Sequence, residues 1–141
     1  MIFEILILEA AMRESIFGIL FLTLSIFLPC PGWAASGLEG SWRGGGYVTP
    51  TSGERESVRC SVQYSRQARK IFSVSAKCAT ASATIVQTGE VLEVSGGRYV
   101  GDFYNSQYDV SGRIRIQLSG NSQTVTFSGS RGRGSMILTK R

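Results

Sequence analysis

No histidine occurs anywhere in the 141 residues. The side chain most often used as acid or base near neutral pH is therefore missing, and no serine here has an imidazole partner. Cysteine and proline are scarce, three of each. A zinc site would have to rely on carboxylates without imidazole or free thiolate, a poor donor set for that metal. Acidic residues are outnumbered, ten Asp and Glu against fifteen Lys and Arg. Beyond residue 35 leucine is sparse, and apolar residues do not recur at three and four, so helices are not expected there. These absences argue against an enzyme. Asp102 with Asp109, or Glu90 with Glu93, are the candidate carboxylate pairs for glycoside hydrolysis, and nothing in their spacing singles them out. The expectation is a non-enzymatic protein with no cofactor and no metal.

One long apolar run is present. Ile16 to Leu28 is interrupted only by Gly18, Thr23 and Ser25, and is followed by Pro29, Pro31 and Gly32. A charged start, a short apolar core and small residues at Gly32 and Ala34 make a secretory signal peptide, residues 1–34, cut after Ala34. A permanent span needs roughly 20 apolar residues, and extension backwards meets Glu14, Arg13, Glu9 and Glu4, each costly in hydrocarbon. The regular layout begins at Met12, so Met12 is read as the true start. Pro29 before Cys30 argues against lipidation of that cysteine. The expected location is periplasmic or secreted, with no membrane span after processing.

Removing residues 1–34 takes away Arg13 and three glutamates, which leaves 107 residues with 14 basic and 7 acidic groups, net +7. Such a balance favours acidic partners, either an anionic envelope component or an acidic protein. Export makes nucleic acid an unexpected partner. Cys30 leaves with the leader, and the remaining Cys60 and Cys78 have only each other to pair with in an oxidising compartment.

From residue 35 the pattern is that of half-buried strands. In Glu56 to Arg66, Val58, Cys60, Val62 and Tyr64 share one face. In Ile71 to Ala79, Phe72, Val74, Ala76 and Cys78 do so. Placing Cys60 opposite Cys78 sets Val62 against Ala76 and Tyr64 against Val74, all on one face, as period-two geometry requires. Further strands are expected at 41–49, 83–88, 90–94, 99–104, 108–118, 124–128 and 136–139. Gly89, Ser95-Gly96-Gly97, Asn105-Ser106-Gln107, Ser119-Gly120-Asn121 and Gly129 to Gly134 are read as turns. Eight or nine short strands joined locally predict one all-β domain over 35–141, a small antiparallel up-and-down barrel of about eight strands; the alternative is a β-sandwich.

Gly40-Ser41-Trp42 opens the first strand and Gly44-Gly45-Gly46 follows, glycines suited to bends or close backbone approach. This opening resembles the lipocalin-like (calycin) barrels, in which a Gly-x-Trp begins the first strand. The resemblance implies that a basic side chain from the last strand, here Arg131, Arg133, Lys140 or Arg141, packs over Trp42. With Cys60 and Cys78, the layout is also similar to small periplasmic metalloprotease inhibitors, and more generally to small exported proteins of unassigned role in Gram-negative bacteria. The inhibitor likeness implies a free N-terminal segment that enters a protease cleft, for which residues 35–39 would serve.

Two surfaces are candidates for binding. Arg113 and Arg115 alternate with Ile114 and Ile116 and should point outward. Arg131 and Arg133, in a glycine-rich turn, are expected to join them in a basic patch. Tyr99, Phe103, Tyr104 and Tyr108 place aromatics on both faces of one strand. The leading expectation is a binding module that contacts an envelope component or protein through loops and this patch. A protease or lysozyme inhibitor and a carrier of a small apolar ligand are the alternatives. An empty or a filled barrel interior would decide between a carrier and the others.

Overall fold

The computed structural model describes residues 37–141, so the expected leader at 1–34, its cleavage site and the start at Met12 lie outside the described residues. The apolar-polar alternation around the two cysteines produces a hairpin of β2 (Glu56–Arg66) and β3 (Ile71–Ala79). Its register pairs Cys60 with Cys78, Val62 with Ala76 and Tyr64 with Val74, as the sequence requires. The two cysteines are joined in a disulfide. Six further strands complete the described chain: β1 (Gly40–Pro50), β4 (Thr84–Ser95), β5 (Arg98–Asn105), β6 (Val110–Ser119), β7 (Ser122–Gly129) and β8 (Gly132–Lys140).

Each strand pairs antiparallel with its chain neighbour, and β1 pairs with β8 from Trp42 opposite Lys140 to Pro50 opposite Gly132. That last ladder closes an eight-stranded barrel and excludes the sandwich. Closure leaves no strand edge open to another chain. Alternate side chains point inward. They are mainly apolar and mostly buried, while the outward ones are mainly Ser, Thr, Gln and Arg. A barrel facing hydrocarbon has the opposite arrangement, with an apolar band outside.

The glycines of β1 permit the closure. A Cβ on Gly44 would lie 2.0 Å from the carbonyl oxygen of Ile137, so only glycine lets β1 approach β8 at this bend.

Three strand boundaries differ from those the sequence suggests. Gly89 is not a separator: it pairs with both Val74 and Phe103, and the residues expected as two strands form the single strand β4. β6 begins at Val110 because the Asn105 side chain accepts a hydrogen bond from the Tyr108 amide at 3.1 Å, holding a turn that Asp109 completes at φ 49°. The stretch from Gly129 to Gly134 is mostly strand. Only Ser130 and Arg131 lie between β7 and β8, and a Cβ on Gly134 would meet the Phe127 ring at 2.3 Å.

Candidate functional site: a barrel sealed at one end and open at the other

The strands carry their largest interior side chains at the end where the chain enters β1. Trp42, Phe72 and Leu38 are fully buried there, with Tyr64 and Tyr99 each 2 % exposed. Phe72 meets Tyr99 edge to face, ring centres 5.6 Å apart. The Trp42 indole N–H donates to the Leu38 carbonyl at 2.8 Å. Two cations close this end from outside. The Lys140 ammonium lies 5.5 Å from the Trp42 ring centre and donates to the Gly37 carbonyl at 2.9 Å. The Arg66 guanidinium lies 4.9 Å over Phe72, and its Nε is 3.6 Å from a Glu39 carboxylate oxygen. Lys140, and not Arg131, Arg133 or Arg141, is thus the basic residue over Trp42.

Residues 37–39 belong to this seal. Leu38 is fully buried, so this part of the chain is not a free segment, and the inhibitor reading draws no support from it.

On most strands the interior side chains shrink toward the opposite end, Phe103 and Phe127 being the exceptions. Val58, Ala76, Cys78, Ile85, Val110 and Ile114 line a cavity of about 360 Å³. Its mouth lies between the β1–β2, β3–β4, β5–β6 and β7–β8 connections, where Pro50, Glu56, Ser82, Tyr108 and Arg131 contribute to the rim. The disulfide forms part of the wall, since Cys60 is buried and Cys78 faces the cavity. Few polar atoms are free inside. The Glu56 carboxylate accepts from the Ser82 hydroxyl at 2.9 Å, and the Asn105 amide donates to the Val86 carbonyl at 3.1 Å. At the floor the Tyr64 hydroxyl donates to Gln123 Oε1 at 3.0 Å, and burial pushes the Tyr64 phenol well above its usual range. The Gln123 Nε2, also buried, has no hydrogen-bond partner among the described residues.

The four arginines expected to form one patch are divided. Arg113, Arg115 and Arg133 border a shallow hollow on the outer wall, over Thr126, Ser128 and Ser135. Arg113 and Arg133 both neighbour Ser128 in register. Arg131 sits instead at the cavity rim. Arg113 is also paired at its edge, with its Nε 3.2 Å from Asp102. Gly40 and Trp42 are in the seal, at the start of β1.

The carboxylate pairs named from the sequence are not brought together. Asp102 stands on the outer wall of β5 beside Glu90 of β4, whereas Asp109 lies in the β5–β6 turn. Of the aromatics, Tyr99 and Phe103 point inward and Tyr104 outward. The half-hollow interior was not readable beforehand. Its signal is a decline in interior side-chain size along most strands, with Phe103 of β5 and Phe127 of β7 the large rings left at the open end, visible only once register is known.

No protein-family model and no curated protein sequence matches this chain. Solved structures do. A redesigned β-barrel, mFAP1, bound to DFHBI, is 13 % identical with a TM-score of 0.63, covering 74 % of this chain and 95 % of its own. A de novo designed fluorescence-activating β-barrel is 17 % identical with a TM-score of 0.60, covering 77 % and 97 %. A further redesigned barrel, mFAP0, also bound to DFHBI, is 14 % identical with a TM-score of 0.62, covering 74 % and 99 %. The likeness shows the fold: an eight-stranded antiparallel barrel.

Proposed function

We propose that this protein is a non-enzymatic binding protein that carries a small, largely apolar molecule in the open half of its barrel. The observation that supports this most directly is the cavity itself, about 360 Å³, apolar along its walls and reached through one mouth. Ligand sites of this kind begin at about 300 Å³ and pair apolar walls with a few polar groups that set orientation. Liquid water filling the space would amount to about a dozen molecules. Most would face Val, Ala and Ile with few partners, so an apolar ligand displaces them favourably. Designed barrels of the same fold that hold DFHBI agree with a binding role for such an interior.

The location we propose is an oxidising compartment, periplasmic or extracellular. A Cys60–Cys78 disulfide built into the cavity wall suits such a compartment. No helix among the described residues is long and apolar enough to cross a membrane.

The test is titration with N-phenyl-1-naphthylamine, a neutral apolar dye that fluoresces on leaving water. We expect saturable binding with one site per chain. Ala76 faces the cavity and is half-buried, so Ala76→Phe places a ring inside it and should weaken the dye at least ~10-fold, about 1.4 kcal/mol. Circular dichroism and the intact disulfide report whether the variant folds. Dye binding that fails to saturate, or a folded Ala76→Phe protein that binds as well as the parent, overturns the reading.

A further inference from the structure

We infer that the outer wall centred on β8, from β6 to β1, is a docking face for an anionic lipid surface. Charge is segregated around the barrel. The outward positions of the five adjacent strands β6, β7, β8, β1 and β2 carry Arg113, Arg115, Arg133, Arg43 and Arg59, all exposed, and no carboxylate. The remaining wall, β3 to β5, holds both outward acids, Glu90 and Asp102, and most of the exposed aliphatic side chains, among them Val86, Leu92 and Val94. Arg43 continues the basic wall beyond what the sequence suggests, because β1 is paired with β8. Arg59, on β2, lies on the side of the barrel opposite β6 and stands outside the docking face.

Spacing supports an extended anionic partner. One strand, β7, separates Arg113 from Arg133, two inter-strand spacings or about 9.5 Å, and Arg113 and Arg115 are two residues apart, about 6.7 Å. Hydroxyls of Thr126, Ser128 and Ser135 fill the intervals. The arginines therefore form a spread array able to meet several phosphates at once.

The rest of the face separates lipid from other polyanions. Tyr47 is its one half-buried aromatic, and the Arg55 guanidinium already covers that ring at 3.4 Å. Stacking platforms for nucleic-acid bases are thus lacking. A protein partner would need a desolvated apolar or aromatic centre. Among the described residues the only large exposed aliphatic side chain on this face is Ile137, at 60 %. A headgroup layer asks only for spread cations, and a lone Ile137 can dip into it. This inference does not depend on what occupies the cavity.

The experiment is sedimentation with vesicles of phosphatidylcholine alone and of phosphatidylcholine mixed with phosphatidylglycerol, at low salt and at about 0.15 M, where the Debye length is about 8 Å. The protein should bind only the anionic vesicles and release as salt rises. Each arginine near a charged bilayer contributes about fivefold in affinity, so Arg113→Gln, Arg115→Gln and Arg133→Gln together should weaken binding roughly 100-fold. A charge-matched control, Lys77→Gln with Lys70→Gln and Arg98→Gln, removes three cations elsewhere and should change binding only a few-fold. Equal losses in the two triple variants would reduce the effect to net charge and overturn the face. Absence of binding to anionic vesicles at low salt overturns it as well. Retention by soluble polyglutamate, at matched charge, as tight as by vesicles would overturn the lipid assignment. Dye titration on the same triple variant keeps this result separate from the cavity, since its dye binding should match the parent's.

Discussion

The two ends of this barrel use the same backbone for opposite purposes. At the sealed end Trp42, Phe72, Tyr64 and Tyr99 fill the bore, and two cations cover it. At the open end the inward positions hold mainly Val, Ala, Ile and a disulfide, with Phe103 and Phe127 the only large rings among the described inward residues there, and the bore widens into a cavity of about 360 Å³. A closed antiparallel sheet fixes diameter through strand number and stagger, so side-chain size alone decides which part of the bore is solid. The solid half stabilises the fold; the hollow half is where an apolar ligand has room. This division also explains why an eight-stranded barrel of modest length tolerates an empty interior at all.

The largest expected effect tests that division directly. Phe72 is fully buried in the seal, whereas Phe127 is half-buried and borders the cavity. Phe72→Ala should destabilise by about 3–5 kcal/mol, because packed neighbours cannot collapse into the space left. Phe127→Ala removes the same ring beside space that is already empty, and should cost about 2 kcal/mol or less. Urea unfolding followed by the fluorescence of Trp42 measures both. Equal losses would mean that the two halves are packed alike.

Next in size is the disulfide, the one covalent tie of the hollow half. Replacing Cys60 and Cys78 by Ala should lower stability by about 2–5 kcal/mol. The cavity wall loses its fixed point, so dye affinity should fall with it. A double variant as stable as the parent would show that the ladder between β2 and β3 alone holds the open half.

How far the sequence announced this molecule follows from which physical rule governs each part. Alternation and the single available cysteine pairing determined the β2–β3 register down to Tyr64 against Val74. Local connections and Gly44 pointed to closure. Gly89 misled because glycine weakens a strand in isolation, yet here it is paired on both sides, with Val74 and with Phe103, and a Cβ on it would lie 3.0 Å from the Asp102 carbonyl oxygen. Arg131 and Arg133 are two residues apart and share a parity, but the turn ends between them, which sends one to the rim and the other to the outer wall. Arg43 stood out in no motif; only the order of strands around the barrel puts it on the wall beside β8. The cavity depended on the relative heights of side chains from eight strands, information that lies in register rather than in any local pattern.

At the boundary between the halves stands Tyr64, and pH probes it. Burial raises its pKa above the unfolded value of about 10. The folded state therefore holds the phenolic proton at pH values where the unfolded chain has released it. The contribution is complete below pH 10 and declines as pH rises above it, because the unfolded state then binds fewer protons. Ultraviolet titration of the parent against Tyr64→Phe should show no phenolate from Tyr64 near the ordinary tyrosine value of about 10, and stability should fall above pH 10. Tyr64→Phe should flatten that fall. If Tyr64 ionises near the ordinary tyrosine value of about 10, water reaches the floor and the lower half is less sealed than its packing indicates.

The smallest effect concerns the lid on the seal. Lys140 holds two contacts, one with the Trp42 ring and one with the Gly37 carbonyl. Lys140→Met keeps a flexible apolar stem over the indole but removes the charge and the donor. A cation over an aromatic ring at a partly exposed site is worth about 0.5–1 kcal/mol, and an ordinary hydrogen bond contributes about as much. The variant should therefore lose about 1–2 kcal/mol, less than Phe72→Ala. Dye binding should be unchanged, because the cavity opens at the other end. Hydrogen exchange gives the sharper reading. The Trp42 indole N–H, bonded to the Leu38 carbonyl, should exchange faster in Lys140→Met, since residues 37–39 lose one of their anchors to β8. Amides of β2 and β3 beside the cavity should keep the parent's protection. If they loosen equally, the seal and the hollow half unfold as one unit, and the contrast between the two ends is one of packing alone rather than of separable stability.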